Sequence, residues 1–129
     1  MGDLAPYPDL EYLLVQALAV PALPAAVTVY PPDLEQRLPM VRVVRLGGAD
    51  DGRTDAARIE IETAAATRAQ AWEIARSVQQ LLLSGPLLVP GAGLIDRAVT
   101  EDGPHGVLHD NPAVRCVAAT YRVSARRFT

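Results

Sequence analysis

The stretch DAARIEIETAAATRAQAWEIARSVQQLLLSGP, residues 55–86, decides the fold because its hydrophobic period changes halfway along. Its first part alternates hydrophobic with charged residues, as a strand does when its side chains point by turns to the two faces of a sheet. The alternation predicts a strand over residues 58–63, with one face toward a core and the other toward water or a partner. The inward residues are Ile59 and Ile61, and the outward residues are Arg58, Glu60 and Glu62.

The second part of the stretch predicts a long amphipathic helix. Thr67 and Gln70 have the spacing of a capping box, which satisfies backbone N–H groups in the first turn of a helix. Gly85 suits the left-handed residue that ends a helix, and Pro86 forbids continuation. Small and aliphatic residues recur every three to four positions, which predicts one buried stripe. The stripe consists of Ala71, Ile74, Ala75, Val78 and Leu82.

Upstream of this unit, the chain predicts one helix and two strands. The helix spans about residues 9–20 and begins with Asp9 as its cap. A short β-branched strand over AAVTVY, residues 25–30, precedes a second strand over residues 40–46. The acidic segment GGADDGRTD, residues 47–55, is predicted to be a long hairpin loop.

Downstream, PLLVPGAG is predicted to form a turn that leads into a fourth strand over residues 95–100. The segment EDGPHGVLHDNP, residues 101–112, is predicted to be a second long loop. The last strand, residues 114–126, has two distinct faces. One face carries Val117, Ala119, Tyr121, Val123 and Ala125, and the other carries Cys116, Thr120, Arg122, Ser124 and Arg126.

The element order and the composition together predict one α+β domain over residues 1–129. The order is α-β-β-β-α-β-β, and short connections favour a mainly antiparallel sheet with helices packed on one face. Half of the 129 residues are hydrophobic, which excludes a largely disordered chain. Cys116 is the only cysteine, so no internal disulfide can form, as fits a reducing compartment.

Charge and hydropathy exclude two classes of partner. The formal net charge of −3 argues against tight sequence-independent DNA binding, which depends on neutralising phosphates. The start of the chain has no basic segment followed by an apolar run, so we expect no signal peptide. The longest apolar stretch, residues 13–23, is interrupted by Gln16 and Pro21 and falls short of the ~20 residues of a membrane span. We therefore expect a soluble protein with no membrane partner.

Two groups of residues carry potential chemistry, and each also has a structural interpretation. His105 and His109, with Asp110 as a third ligand, suggest a metal site, but a zinc site needs definite geometry and these residues fall in a predicted exposed loop. Cys116 with one of these histidines suggests a nucleophile, but a cysteine in the middle of a strand lacks the features that lower a thiol pKa. We therefore expect no catalytic residue, no metal and no cofactor.

Trp72 and the charged strand faces indicate surfaces for assembly instead. At ~100° per residue, Trp72 lies about 120° from the centre of the buried stripe, with Leu83 close to the same side. Large apolar residues off the core face often mark a partner surface, although Trp72 could also pack on a loop of its own domain. Glu60 and Glu62 oppose two arginines of the last strand in sign, which suggests pairing across the sheet or between subunits, or a solvated face. Those arginines are Arg122 and Arg126.

Taken together, these elements resemble the tail terminator, or tail-to-head joining, family of long-tailed bacteriophages (siphophages). The resemblance covers most of the chain: the helix PDLEYLLVQAL, the strand–helix unit quoted above, and the closing DNPAVRCVAATYRVSARR. The last two are most similar to terminators from phages of high-GC actinobacteria. In those proteins an Asp-x-x-Arg strand precedes an alanine-rich helix, and an Arg-x-x-x-x-Thr-Tyr strand ends the fold. Cys116 departs from the pattern, where such sequences carry an aromatic residue.

The resemblance implies a structural virion protein, not an enzyme, that is assembled in the host cytoplasm and sits at the head-proximal end of the tail. Such proteins form a homohexameric ring that caps the tail tube, stops its polymerisation and offers a surface to the head–tail connector, while DNA passes through the lumen. Candidate subunit or partner contacts are Trp72, Leu83, Glu60, Glu62, Arg122 and Arg126. Candidate residues of a lumen or tube-facing loop are Asp50, Asp51 and Asp55.

Three alternatives stay open at this stage. The nearest is another neck or head-completion protein of the virion, which can share this size and plan. A small-molecule-binding regulatory domain is a second, but the chain shows no glycine-rich cradle or convergent polar group for a ligand. An enzyme that uses Cys116 with His105 or His109 is the third.

Overall fold

The computed structural model describes residues 6–126, so the first five residues of the segment considered for a signal peptide lie outside the described residues. Two helices and six strands occur in this range, with a short 3₁₀ turn between the first two strands. In chain order they are α1 (Leu10–Ala17), β1 (Ala26–Val27), the turn Leu34–Gln36, β2 (Met40–Asp50), β3 (Thr54–Ala65), α2 (Arg68–Leu83), β4 (Leu87–Val89), β5 (Gly93–Val107) and β6 (Arg115–Arg126).

The six strands form one sheet in the order β1-β2-β3-β6-β5-β4. Four of the five neighbouring pairs are antiparallel, and β1 runs parallel to β2. The predicted α+β class is therefore correct, but the sheet is mixed. The observed order differs from the predicted one by one additional strand, β4, within the segment that was predicted to be a turn.

Strands β2 and β3 are longer than predicted, and the predicted long acidic loop is wrong. Asp50 pairs with Asp55 in the register, so only residues 51–53 form the turn. β2 continues through Gly47 and Gly48. The register shift between Arg45 and Gly47 marks a β-bulge, after which the pairing with β3 resumes. Asp55 is consequently a strand residue and not a loop residue.

The second predicted loop is also largely strand. β5 continues to Val107 through two further register shifts, between Thr100 and Asp102 and between Asp102 and His105. Gly103 and Pro104 lie inside the second irregularity, where a proline within a sheet is tolerated. These bulges explain why turn-forming residues in the sequence do not end the strand.

Helix α2 follows the prediction closely. The Thr67 hydroxyl accepts a hydrogen bond from the backbone N–H of Gln70 at 3.2 Å, and Gly85 after the helix has φ +127°. All but one residue of the predicted stripe is buried, and Ile74 is half-buried against the core. Helix α1 is capped by the Asp9 carboxylate as predicted, but it ends earlier, at Ala17.

Both helices pack on the same face of the sheet, which we call the helix face. One cluster joins α1 and α2 to the inward residues of β2, β3 and β6, with Ile59 and Ile61 buried as predicted. The opposite face, which we call the open face, is covered only near the end of the sheet that carries Cys116. Tyr30, Leu34 and Leu38 pack there. Both faces of the first half of β6 are therefore buried, which its alternating sequence did not indicate.

Candidate functional site

Trp72 lies in the second turn of α2 between two arginines. The guanidinium carbons of Arg68 and Arg76 lie 5.3 Å and 5.6 Å from the centroid of its ring, which is cation–π distance. The indole is half-buried and packs on a small cluster made by Ala65, Ala71, Ala75 and Val117. Its Nε1–H is buried and has no acceptor among the described residues, although a buried indole N–H normally has one.

An open hollow of about 560 Å³ lies beside this tryptophan. It is bounded by the first turns of α2 and by the segment that joins β5 to β6. Leu108 lines it with a fully exposed side chain, at 102% of the reference area. The other lining residues that matter here are Arg68, Trp72, Pro112 and Arg115. An exposed leucine beside an aromatic ring is the kind of apolar surface that partners cover.

The arginines around Trp72 are residues that sequence reasoning missed. Arg68 and Arg76 stand four positions before and after Trp72, a spacing that places side chains next to each other on a helix. That spacing was a usable signal. Arg115 could not have been found in this way, because only the fold brings the start of β6 beside α2.

Leu83 is 47% exposed at the last position of α2. It shares the side of the helix that carries Trp72, but the two residues are eleven positions apart, about 16 Å along the axis. The structure therefore does not bring Leu83 into the surface around Trp72. The two candidates belong to separate parts of the exposed side of α2.

The side chains of Glu60 and Glu62 share one ion-pair partner on β2, and among the described residues neither forms an ion pair with an arginine of β6. Arg42 Nη2 lies 3.3 Å from a Glu60 carboxylate oxygen and 3.6 Å from one of Glu62. Tyr30 stacks under the same guanidinium, with 5.3 Å from Arg42 Cζ to the ring centroid. Burial, then the nearby Glu62 carboxylate, raises the pKa of Tyr30 far above its usual value. The suggested pairing of these carboxylates with Arg122 and Arg126 is therefore wrong within the chain.

The two arginines of β6 pair with β5 instead. Arg122 Nη2 lies 3.1 Å from the Glu101 carboxylate, and Arg58 Nε lies 2.7 Å from the same group. The hydrogen bond from Arg58 leads the effects that lower the pKa of Glu101. Arg126 Nε lies 3.0 Å from an Asp96 oxygen, an ion-pair distance without the alignment of a hydrogen bond. The open face thus carries ion pairs from β2 across to β5.

The turn between β2 and β3 presents two carboxylates to solvent. One Asp51 oxygen accepts the backbone N–H groups of Arg53 at 2.9 Å and Thr54 at 2.7 Å, and these bonds lower the pKa of Asp51. One Asp50 oxygen accepts the Tyr7 hydroxyl and the Gly52 N–H, each at 3.0 Å. Both aspartates therefore shape the turn while keeping a second oxygen for other contacts.

Asp55 has a different environment from the other two aspartates. It is 5% exposed on the helix face, and its two oxygens accept Arg45 Nη1 at 2.6 Å and Nη2 at 2.8 Å. Such a two-pronged pair fixes both side chains. The hydrogen bonding that Asp55 accepts from Arg45 is also the leading effect that raises the pKa of Arg45. Asp55 therefore belongs to the packed interior and not to a solvent-facing loop.

His109 and Cys116 both line the hollow beside Trp72, whereas His105 does not. His105 Nδ1 lies 2.8 Å from the Gly103 carbonyl oxygen, and His109 Nδ1 accepts the Asn111 backbone N–H at 3.0 Å. No group of three or more potential metal ligands occurs within residues 6–126. Cys116 is buried, and burial leads the effects that raise the pKa of its thiol to about 11. Burial and the raised thiol pKa therefore make Cys116 a poor nucleophile.

The raised thiol pKa of Cys116 predicts very slow alkylation of the native protein. At about pH 8, roughly one such thiol in a thousand is ionised, and the thiolate is the reactive form. We expect iodoacetamide to modify native Cys116 at least ~100-fold more slowly than the urea-unfolded chain, as measured by intact-protein mass spectrometry. Equal rates in the two states would show an accessible, activated thiol and would revive the enzyme interpretation.

Within the described part of the chain, no helix is both long and apolar enough to cross a membrane. The fold and its surfaces define a small α+β protein with an exposed aromatic–arginine surface and a charged open sheet face, features suited to assembly. A family model described as "phage tail termination protein" matches residues 6–129. The chain therefore belongs to the phage tail termination protein family, which confirms the expected family. A comparison with curated proteins found no match.

This membership fixes the broad role of the protein. The family is a structural one whose members are components of the bacteriophage tail, so the protein is associated with the tail of the virion.

Proposed function

We propose that this protein forms a homohexameric ring that caps the tail tube of a siphophage, stops its polymerisation and offers the surface to which the head–tail connector attaches. DNA passes through the lumen of this ring, and the protein has no catalytic role. The observation that carries the proposal is the family match over residues 6–129. The exposed Leu83 and Leu108 and the half-buried Trp72 support it, because apolar surface of this kind is usually covered in an assembly.

The test is the position of the protein in assembly intermediates. Tails purified before heads attach should carry the protein at one end only, as seen by electron microscopy with an antibody against it. The protein should be absent from heads that have not yet joined tails. The reverse distribution would contradict termination and would favour a neck or head-completion protein.

Replacing Trp72 with alanine is expected to weaken the ring and leave the subunit folded. The side chain is half-buried on a small alanine-rich cluster, so its loss should cost the subunit about 2 kcal/mol, less than a fully buried tryptophan. Light scattering across a concentration series measures the ring, and circular dichroism measures the fold. Leu88→Ala, at an exposed position of β4, is the matched control. Unfolding of the Trp72 variant would assign this residue to the core instead.

Reversing the charge of the β2–β3 turn is expected to slow genome ejection. We propose that Asp50 and Asp51 face the lumen or the tube, where acidic groups repel passing DNA. Particles carrying Asp50→Arg and Asp51→Arg should then eject DNA more slowly, as followed by dye fluorescence after receptor addition. Asp50→Asn with Asp51→Asn is the control, because asparagine keeps the oxygen that accepts the N–H groups of the turn. Unchanged ejection from charge-reversed particles would contradict a lumenal position.

A further inference from the structure

The surface around Trp72 carries positive charge that the chain leaves uncompensated. Arg68, Arg76 and Arg115 have no carboxylate of residues 6–126 within ion-pair distance. Of the eight other arginines in that range, six are ion-paired and two, Arg53 and Arg97, are not; the paired ones are Arg37, Arg42, Arg45, Arg58, Arg122 and Arg126. Three guanidinium groups without an ion pair, with one exposed carboxylate, Glu73, in the same patch, leave a local positive charge that attracts an anionic surface.

Apolar groups accompany these charges. We define the arginine cleft as Arg68, Trp72, Arg76, Leu108 and Arg115. The fully exposed Leu108 and the half-buried indole offer area for an apolar side chain. A partner that fits this cleft therefore presents carboxylates or other acceptors beside exposed apolar side chains.

A second surface of the same chain has that chemistry. A shallow groove of about 480 Å³ lies between α1 and the segment after β1. Tyr12 and Val29 are 53% and 76% exposed there. We define the acidic groove as these two residues with Asp9, Glu11 and Val15.

The charge of the acidic groove is not neutralised by its own chain. One oxygen of Asp9 caps the Tyr12 N–H, and one oxygen of Glu11 accepts the Arg45 backbone N–H at 2.7 Å. The charges of both carboxylates contribute to raising the pKa of Arg45, but the hydrogen bonds of its guanidinium go to Asp55. Two carboxylates beside exposed tyrosine and valine side chains therefore remain available to a partner.

We propose that the arginine cleft of one copy binds the acidic groove of the next copy. The inference rests on the proposed ring and names the contact that would build it. Within residues 6–126, the groove carboxylates accept the backbone N–H groups of Tyr12 and Arg45, and no ion pair or hydrogen bond joins them to the arginines of the cleft.

A contact between two different surfaces has a consequence for symmetry. Each copy uses its cleft on one neighbour and its groove on the other, so the arrangement is head-to-tail. Head-to-tail contacts close into rings when the rotation per subunit allows it, whereas a contact of one surface with itself stops at a dimer. The proposed contact is therefore compatible with a ring and incompatible with a simple two-fold dimer.

Two variants disable the two surfaces separately. The cleft variant carries Arg68→Glu and Arg115→Glu, and glutamate is tolerated at the first position of a helix. The groove variant carries Tyr12→Arg and Val29→Arg at exposed positions, leaving the Asp9 and Glu11 hydrogen bonds intact. The controls are Arg97→Glu and Leu88→Arg, which make the same kinds of change at exposed residues outside both surfaces.

Sedimentation velocity over a concentration and salt series measures the association. The unmodified chain and both controls should associate in the same way, and added salt should weaken the association. Each surface variant alone should raise the dissociation constant at least ~30-fold. An equimolar mixture of the two variants should form a heterodimer that neither variant forms alone, because the unmodified cleft of one meets the unmodified groove of the other. That result is specific to a contact between two different surfaces.

Three outcomes separate this contact from other possibilities. If the variants assemble as the unmodified chain does, or if the mixture does not associate, the proposed contact between cleft and groove is contradicted. That result would not contradict the ring itself, which could form through other surfaces. If the cleft variant assembles normally but loses binding to a short DNA duplex, the cleft binds nucleic acid instead. If the unmodified chain forms no oligomer in solution or on purified tail tubes, the proposed ring itself fails, and the contact fails with it.

Discussion

Gly48→Ala is expected to destabilise the protein by about 3 kcal/mol or more, because the added methyl group meets backbone atoms of the neighbouring strand. Gly48 has φ +138° in β2, a conformation that residues with a side chain rarely adopt. An added Cβ would overlap the carbonyl oxygen of Ala56 and would lie 2.7 Å from the Cα of Ala57. Both obstacles are backbone atoms of the neighbouring strand, so the strand pair itself would have to separate.

Gly106→Ala is the matched control for this substitution. Gly106 also lies in a strand paired with a neighbour, but its backbone is ordinary and an added Cβ meets nothing within 4 Å. Urea denaturation followed by tryptophan fluorescence should show a large loss for Gly48→Ala and little change for Gly106→Ala. Equal midpoints for the two variants would mean that β2 and β3 do not approach each other as the structure has them.

Arg45→Ala is expected to cost about 3 kcal/mol because it leaves a buried carboxylate without a partner. Asp55 is 5% exposed, and both of its oxygens are bound by the Arg45 guanidinium. Removing both charges, with Arg45→Met and Asp55→Leu, should be much less harmful, since no buried charge then remains. Arg37→Ala, which breaks an exposed pair with Asp33, should change stability very little. Denaturant midpoints of these variants measure the difference, and an Arg45→Ala loss no larger than that of Arg37→Ala would contradict a structural role for the pair.

The strand–helix unit at residues 55–86 could be predicted because its determinants are local. Alternation around Ile59 and Ile61 depends only on the strand repeat, and the α2 cap and stop depend on Thr67 and Gly85 within a turn of the helix. Local patterns of this kind are largely independent of the rest of the chain. The family resemblance rested mainly on the same segment and on β6, and it was confirmed.

The bounds of β2, β3 and β5 could not be predicted from local sequence patterns. Glycine, proline and aspartate ordinarily mark turns, and here Gly47, Gly48, Gly103 and Pro104 lie at or beside register shifts within strands. A bulge is stabilised by the pairing on either side of it, which the sequence of one strand does not reveal. Most residues of the two predicted loops therefore lie in strands, and only residues 51–53 and 108–112 connect them.

Ion-pair partners depended on the strand order. β3 lies between β2 and β6, so each of its glutamates has a neighbour on both sides. Arg42 lies directly opposite Glu62, whereas Arg122 lies opposite Arg58. The charge pattern showed correctly that the face is ionic, but the register decided which groups meet. The cluster around Trp72 needed the fold as well, because Leu108 and Arg115 come from distant parts of the chain.

Addition of the purified protein to growing tail tubes tests termination most directly. Tube protein polymerising in its presence should stop elongating, and electron micrographs should show a ring-shaped cap at one end of each tube. The length distribution should narrow as the protein concentration rises. Tubes that keep growing at the same rate, with bare ends at every concentration of the folded protein, would contradict a role in ending the tube.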